Sequence, residues 1–398
     1  VAVLLFWAGA LLRCESIGRR WVLLAIIPVA LNPVAGAQVF TNYVDGMLAS
    51  FIAILVILLI QVTRDHRPAA VDAAMPALAM TTALAVSTKL NGALYVVLIA
   101  GGYLAWALPT RRAGARAAAG WTAAGLLAAV LLIAWNPYMS RFATGTVYHG
   151  NPFHPHAHWS DIVNVESETL LPGMGRLERL SGSLLSRSVI WTDGGPDYKV
   201  PFRVSRNELS QFAAPDVRFG GFGPLFSGGL LLALATLALL LREPRRRVLP
   251  HAGPLLMAVV IGLSTLSFSE AWWARLAPQL AFAPVLVGVA GLAALARQRT
   301  EWLPRALILV LCLNSVLVFG AHGYFAIAQS EASRRQLRDI RAAGAEIAVP
   351  DLDGFPGLRH RLQRAGVTFR EVDALPCGAE DRLVLTLEIE ACVLPGEG

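Results

Sequence analysis

Ser87-Thr88-Lys89-Leu90-Asn91-Gly92 interrupts an apolar run over residues 74–108, and the reading of that interruption decides the fold. Basic residues stand on both sides of the run, Arg64 and Arg67 before it and Arg111, Arg112 and Arg116 after it. Arginine-rich short loops stay in the cytoplasm. A run that begins and ends beside them crosses the membrane twice and turns at the break. The alternative is one tilted helix with Lys89 snorkelling to the interface, which puts the Arg111 cluster on the other side. The two-crossing reading predicts a short first arm and a non-helical turn, tolerated at membrane depth only where protein buries it or a wet cavity adjoins it.

Working outward, the remaining basic clusters are Arg13 with Arg19 and Arg20, Arg242 with Arg245 to Arg247, and Arg297 with Arg299 and Arg305. With all of them inside, residues 1–12 come in, 21–37 go out and 46–62 return. Residues 118–135 go out again, and 223–241, 251–268, 276–296 and 303–325 follow as four more crossings. The expected fold class is an all-α polytopic bundle of about ten transmembrane crossings, with a large external loop and a small C-terminal α/β domain. The boundaries are 1–135 for the N-terminal membrane part, 136–222 for the extracytoplasmic loop, 223–325 for the C-terminal membrane helices and 326–398 for the tail.

Composition agrees with a membrane protein. The chain has 398 residues, of which 55% are hydrophobic and only 15% charged, and its mean hydropathy is +0.55. The formal charge of +7 sits largely in the loops that set orientation, so no nucleic-acid partner is expected. Lys89 and Lys199 are the only lysines, and an Ala/Arg/Gly-rich chain of that kind suggests a high-GC bacterial gene. The expected location is the bacterial cytoplasmic (inner) membrane. Residues 1–12 are too short to span and lack a basic region before them, so the chain reads as beginning inside a helix with an N-terminal piece missing. A valine read from a GTG start codon is the competing explanation.

With the basic loops inside, Asn32, Tyr43, Asp45, Lys89, Asn91, Asn136, Glu270 and Arg275 all fall at the outer face. Ionisable groups at membrane depth are costly and mark function. Asp45 opens a helix, where the dipole welcomes an anion. It is either an ordinary first-turn acid or a carboxylate that activates an acceptor hydroxyl or holds a metal. Lys89 at a helix break suits a phosphate, assisted by the N–H groups of the following half-helix; its other reading is a counter-ion to Asp45 or Glu270. In Glu270-Ala-Trp-Trp-Ala-Arg275-Leu-Ala-Pro278 the arginine fork matches phosphate oxygens, or else pairs with Glu270. Trp272 and Trp273 suit the interface.

The external loop carries Tyr148-His149-Gly150-Asn151-Pro152-Phe153-His154-Pro155-His156-Ala157-His158. Alternate histidines are either metal ligands or wet residues of a Pro-fixed loop over the site. Short interfacial helices are expected over Ile162–Leu171 and Leu177–Leu185. The tail reads as helices at Ser330–Ala343 and Leu358–Ala365 and strands at Val367–Val372 and Arg382–Ile389. Cys14 and Cys312 lie in or beside apolar runs, whereas Cys377 and Cys392 lie in the polar tail, where either a disulfide or two free thiols is open. No Walker A, GxSxG, HExxH or strand-borne GxGxxG motif appears, so ATP hydrolysis is not expected.

Taken in order, Tyr43 and Asp45 at a helix start, Thr88-Lys89-Leu90-Asn91-Gly92, Gly150-Asn151-Pro152-Phe153-His154-Pro155 and Arg275-Leu-Ala-Pro278 resemble the GT-C superfamily. These are polytopic glycosyltransferases, including protein O-mannosyltransferases, aminoarabinose transferases and family-39-like bacterial proteins. The resemblance spans residues 20–325. It implies transfer of a sugar from a polyprenyl-phosphate donor to a glycan, lipid or protein acceptor on the extracytoplasmic face. Lys89 and Arg275 would hold the donor phosphate, with Tyr43, Asn91, Glu270, Asn151 and His154 in support. The resemblance implies a catalytic acid in the first external loop just after the first helix; that loop is not found here, so the acid is expected in the missing N-terminal piece, with Asp45 as the stand-in candidate. No cofactor is required, although a divalent metal could assist. The rival readings are a transporter or flippase of lipid-linked sugars, expected to show internal repeats that the chain does not have, and a surface-polysaccharide polymerase or ligase using Arg203, Arg206 or His149. A non-catalytic membrane scaffold is the remaining one.

Overall fold

The computed structural model describes residues 17–39, 43–64, 68–110, 112, 114–135, 171–190, 195–351, 356–378, 380, 382–385 and 389–394. The chain is mostly helical with one small sheet near its C-terminus. It divides into two compact units, Val1–Thr146 with His158–His322, and Val147–Ala157 with Gly323–Gly398.

In the first unit, α1 (Arg19–Ala30) and α2 (Pro33–Gln38) replace the single helix expected over 21–37. Asn32 ends the first and starts the second: its Oδ1 accepts from Val34 N at 3.0 Å, and Pro33 occupies the first helical position, where a missing N–H costs nothing. Then come α3 (Asp45–Arg64), α4 (Pro68–Thr88), α5 (Leu90–Ala107) and α6 (Ala115–Trp135). Lys89 between α4 and α5 is fully extended, at φ −161° and ψ 148°. The chain folds back there so tightly that a Cβ added at Gly92 would lie 3.1 Å from the Ala85 carbonyl carbon. A single tilted helix through Lys89 is therefore not formed. The arm before the break is longer than expected, because the helix begins at Pro68; its apolar part is Ala74–Thr88.

Small residues bring these helices together. A Cβ at Gly125 of α6 would sit 2.7 Å from Thr82 Cβ and 3.0 Å from Ala79 Cα of α4, the close approach that alanine- and glycine-rich membrane helices use. α3 is the hub of the core, with Ala49, Ile52, Ala53, Leu55, Val56 and Leu59 fully enclosed. Further on lie α7 (Arg176–Leu185), α8 (Arg206–Gln211), α9 (Phe226–Arg242), α10 (Arg245–Val248), α11 (Ala252–Leu266), α12 (Phe282–Ala294) and α13 (Trp302–Ala342). α11 packs on α12 and α5, and α9 packs on α12.

Four helical stretches are long and apolar enough to cross a membrane: Asp45–Arg64, Ala115–Leu132, Arg245–Leu266 and Arg299–Ala342. Ala74–Thr88, Asn91–Ala107, Phe226–Arg242 and Pro278–Ala294 are apolar but shorter. The ten spans expected from sequence are thus not reached among the described residues, for local reasons. Asn32-Pro33 splits 21–37, and the expected helix 276–296 opens with two 3-10 turns, Ala274–Leu276 and Pro278–Ala281. The helices expected over 303–325 and Ser330–Ala343 are one continuous helix, α13, of 41 residues.

The segment between α6 and α9 is a folded piece where it is described. α7 covers the helix expected at Leu177–Leu185, while 141–170, including most of Ile162–Leu171, lie outside the described residues. Its anchor is a buried ion pair, Lys199 to Glu208, with side chains 2% and 4% exposed. Lys199 Nζ also donates to Pro224 O at 2.6 Å, and Glu208 Oε1 accepts from Ser188 N at 3.3 Å. Burial pushes the Lys199 ammonium below the ordinary lysine value, against the pull of the Glu208 carboxylate. Asn314 of α13 fastens the far end, donating to Phe222 O at 2.8 Å and accepting from Leu225 N at 2.9 Å.

In the second unit the sheet has the order β2-β1-β4-β3, with β1 Ile347–Pro350, β2 Phe369–Val372, β3 Arg382–Leu385 and β4 Ile389–Val393. β1 and β2 are parallel, joined through α14 (Pro356–Ala365), whereas β4 runs antiparallel to β1 and β3. The expected strand at Arg382–Ile389 is two strands, and β1 was not anticipated. Leu337 and Ile340 of α13 and Leu358 and Leu362 of α14 cover Ile347, Val349, Leu385 and Ala391. Cys377 and Cys392 form a disulfide.

Removing one member of a buried ion pair strands the other in low dielectric, at about 3–5 kcal/mol. Glu208→Ala is expected to cost that much and to open residues 195–222 to limited proteolysis. Cleavage sites and melting temperature unchanged from the parent chain would refute the anchoring role.

Candidate functional site

The polar residues at one end of the first unit form a connected network built on the start of α3. Asp45 is 2% exposed. Its Oδ1 pairs with Lys89 Nζ at 2.5 Å, and its Oδ2 accepts from Gln38 Nε2 at 3.3 Å. Gln38 Oε1 in turn accepts from Gly46 N at 2.8 Å, so the last residue of α2 satisfies a first-turn donor of α3. Gly46 permits the contact: a Cβ there would sit 2.8 Å from Ala35 Cα. Of the two readings of Lys89, the counter-ion to Asp45 is present, and it leaves the lysine side chain 31% exposed.

The 3-10 turns that carry Arg275 are tied to this end from two sides. Tyr95 of α5 donates its hydroxyl to Leu276 O at 2.6 Å, and Asn32 Nδ2 donates to Pro278 O at 3.0 Å. Arg275 does not pair with Glu270. Its Nε lies 3.3 Å from Asp216 Oδ1, and its guanidinium lies over the Trp273 ring at 4.2 Å and the Tyr43 ring at 5.0 Å. Asp216 Oδ1 also accepts from Trp273 Nε1 at 2.7 Å. Arg218, largely buried, has its guanidinium 4.6 Å from the centre of the same indole. Glu270 is buried and turns instead to Trp272, whose Nε1 donates to its Oε2 at 2.8 Å; its Oε1 is buried without a hydrogen-bond partner.

Lys89 and Arg275 therefore both contact one short segment, Lys89 at Asp45 and Arg275 at Tyr43. Asn91 is buried at the start of α5, two residues from Lys89. Asn136, Asn151 and His154, with the rest of the histidine-rich stretch 148–159, lie outside the described residues. Among the described residues no group of three or more His, Cys, Asp or Glu is arranged to hold a metal ion. Asp216 and Arg218 carry as much of this geometry as Arg275 does. The sequence gives Asp216 only as one acid among several in a long loop, because its partners are far from it along the chain.

Chemically, Asp45, Asp216 and Glu270 stand against Lys89, Arg218 and Arg275, three acids and three cations at this end. An ammonium has three donors and a guanidinium five. Asp45 takes one from Lys89, and the partly exposed Arg275 is oriented by aromatic faces that leave most of its fork unspent. Ammonium and guanidinium donors of this kind are the groups that suit an oxyanion. Comparison with known proteins finds no matching family model, no similar curated protein and no similar solved structure.

Two outcomes test this geometry. Lys89→Met strands a buried carboxylate and is expected to cost about 2 kcal/mol, less than a fully buried pair because the lysine is partly exposed. Adding Asp45→Asn is expected to recover most of that loss. Equal melting temperatures for the single and double variants would show that the pair is not coupled. Asp216→Asn is expected to raise phenylglyoxal labelling of Arg275 several-fold, read by peptide mass spectrometry; an unchanged rate would mean that Asp216 does not hold the guanidinium.

Proposed function

We propose that this protein is an integral-membrane glycosyltransferase that moves a sugar from a polyprenyl-phosphate donor to an acceptor at the extracytoplasmic face. The observation that carries the reading is the pairing of two cations, Lys89 and Arg275, about Tyr43–Asp45 at one end of an apolar bundle. Phosphate departure needs fixed cations beside the leaving oxygen. Both are fixed here, Lys89 by Asp45 and Arg275 by Asp216, Trp273 and Tyr43.

In the full topology the basic loops lie in the cytoplasm and the chain crosses the membrane several times, with Ala74–Thr88 and Asn91–Ala107 meeting at the Lys89 break. The tail then faces the extracytoplasmic side of the bacterial inner membrane. The Cys377–Cys392 disulfide supports that side, since such bonds persist in oxidising compartments. Asp45 serves first to hold Lys89, both of its oxygens being engaged; its use as the base toward an acceptor hydroxyl requires one of those contacts to open.

The helix break at Lys89, with an ion pair beside it, also favours one rival. A transporter of lipid-linked sugars uses broken helices and charges at depth in the same way.

Proteoliposomes containing the purified chain and a radiolabelled polyprenyl-phosphate sugar separate the two. The transferase converts donor to free polyprenyl phosphate and labelled acceptor, and Arg275→Gln, or Lys89→Met with Asp45→Asn, raises the donor concentration for half-maximal rate at least about tenfold, the loss of one charge-assisted hydrogen bond. Donor that crosses the bilayer chemically unchanged would support the transporter instead.

A further inference from the structure

We propose that one face of the C-terminal part of α13, formed by Arg334, Arg338 and Arg341, is a docking surface for anionic lipid headgroups. The inference rests on α13 crossing a bilayer and not on the glycosyltransferase reading.

Within the second unit this end of α13 is two-sided. Ser333, Leu337 and Ile340 are buried, the last two in the core over the sheet, whereas Arg334, Arg335, Arg338 and Arg341 are exposed. At 3.6 residues per turn, Arg334, Arg338 and Arg341 fall on the same face as Tyr324 and Ile327. Those two are apolar and largely exposed, at 69% and 62%. One helix face thus changes from an aromatic and aliphatic surface to an arginine surface within a few turns, with Glu331, paired to Arg335, on the same face at the join. Tyrosine belongs at the membrane–water boundary, so the arginines beyond it fall at headgroup level.

Side-chain direction sharpens the match. In an α-helix long side chains lean toward the helix N-terminus, here toward Tyr324 and Ile327. Arg338 does so, its Nε donating to Arg334 O at 3.3 Å. The acids nearby are Glu331, which pairs with Arg335 at 3.5 Å, and Asp339, leaving the helix end net positive. The helix dipole favours a cation in the last turn and so accounts for Arg341 alone; it gives no reason for Arg334 or Arg338.

The test uses the full chain in nanodiscs of equal phosphatidylglycerol and phosphatidylcholine, with a photo-crosslinking phenylalanine analogue at position 327. Adducts are counted by mass spectrometry. The expected ratio favours phosphatidylglycerol by about fivefold, the return of about 1 kcal/mol for a single arginine at an anionic surface. It falls toward unity in R334Q/R338Q/R341Q and, in the parent chain, in high salt. R334K/R338K/R341K keeps it, and R361Q/R364Q, which removes charge from α14, leaves it unchanged. An even ratio in the parent chain at low salt overturns the proposal, whether or not the glutamine variant folds. A bias that survives high salt also overturns it.

Discussion

The ion pair between Asp45 and Lys89 is the interaction on which the polar end of the bundle depends. Each residue sits where helical hydrogen bonding stops, Asp45 at the first position of α3 and Lys89 in the extended gap between α4 and α5. Backbone breaks of this kind expose donors and acceptors that an apolar surrounding cannot satisfy. Here Gln38 supplies the missing acceptor to Gly46, and Gly92 donates back to Lys89 O at 2.8 Å. The charge pair then fixes three helices, α3, α4 and α5, against one another at the point where each is least able to hold itself.

The turns at 274–281 depend on that arrangement in their turn. Short 3-10 turns have poor hydrogen-bond geometry and little stability of their own. These are held through two carbonyls at the junction between them, Leu276 to Tyr95 and Pro278 to Asn32. Tyr95 comes from α5, which follows the break, and Asn32 caps α2, whose last residue Gln38 is bonded to the start of α3. Arg275 immediately precedes the first fastened carbonyl, and its direction is set by Trp273, Tyr43 and Asp216. Asp216 reaches it from the segment anchored by Lys199 and Glu208, so the folded part of the long loop is part of the support for the cationic site.

What the sequence revealed follows from the range of the interactions involved. The break at Ser87–Gly92 was legible because a lysine, hydroxyls, an amide and a glycine together contradict an apolar helix locally. The paired arms, the elements α7 and α14, and strand β2 were legible for the same reason. The split at Asn32-Pro33 carries an equally local signal, an N-cap followed by proline, which the apolar run around it masked. The partner of Arg275 was not legible: Glu270 is near in sequence, whereas Asp216 is brought in by the fold. Strand β1 was hidden because Ile347-Ala348-Val349 is too short to show alternation and is buried on both faces. The count of membrane-length helices fell short of the count of apolar runs because hydropathy counts residues, while proline and asparagine cut them into separate helices.

The network also ranks the chemical roles its members can take. A general base needs a free oxygen within reach of a proton, and Asp45 has one oxygen on Lys89 and the other on Gln38. Lys89 and Arg275, by contrast, are partly exposed and each is held in one direction by its neighbours. Lys89 is held by Asp45, and Arg275 by Asp216 and two aromatic faces. Asp45 is therefore better placed to hold Lys89 than to withdraw a proton by itself, and its use as a proton acceptor requires a change at the Asp45–Lys89 pair.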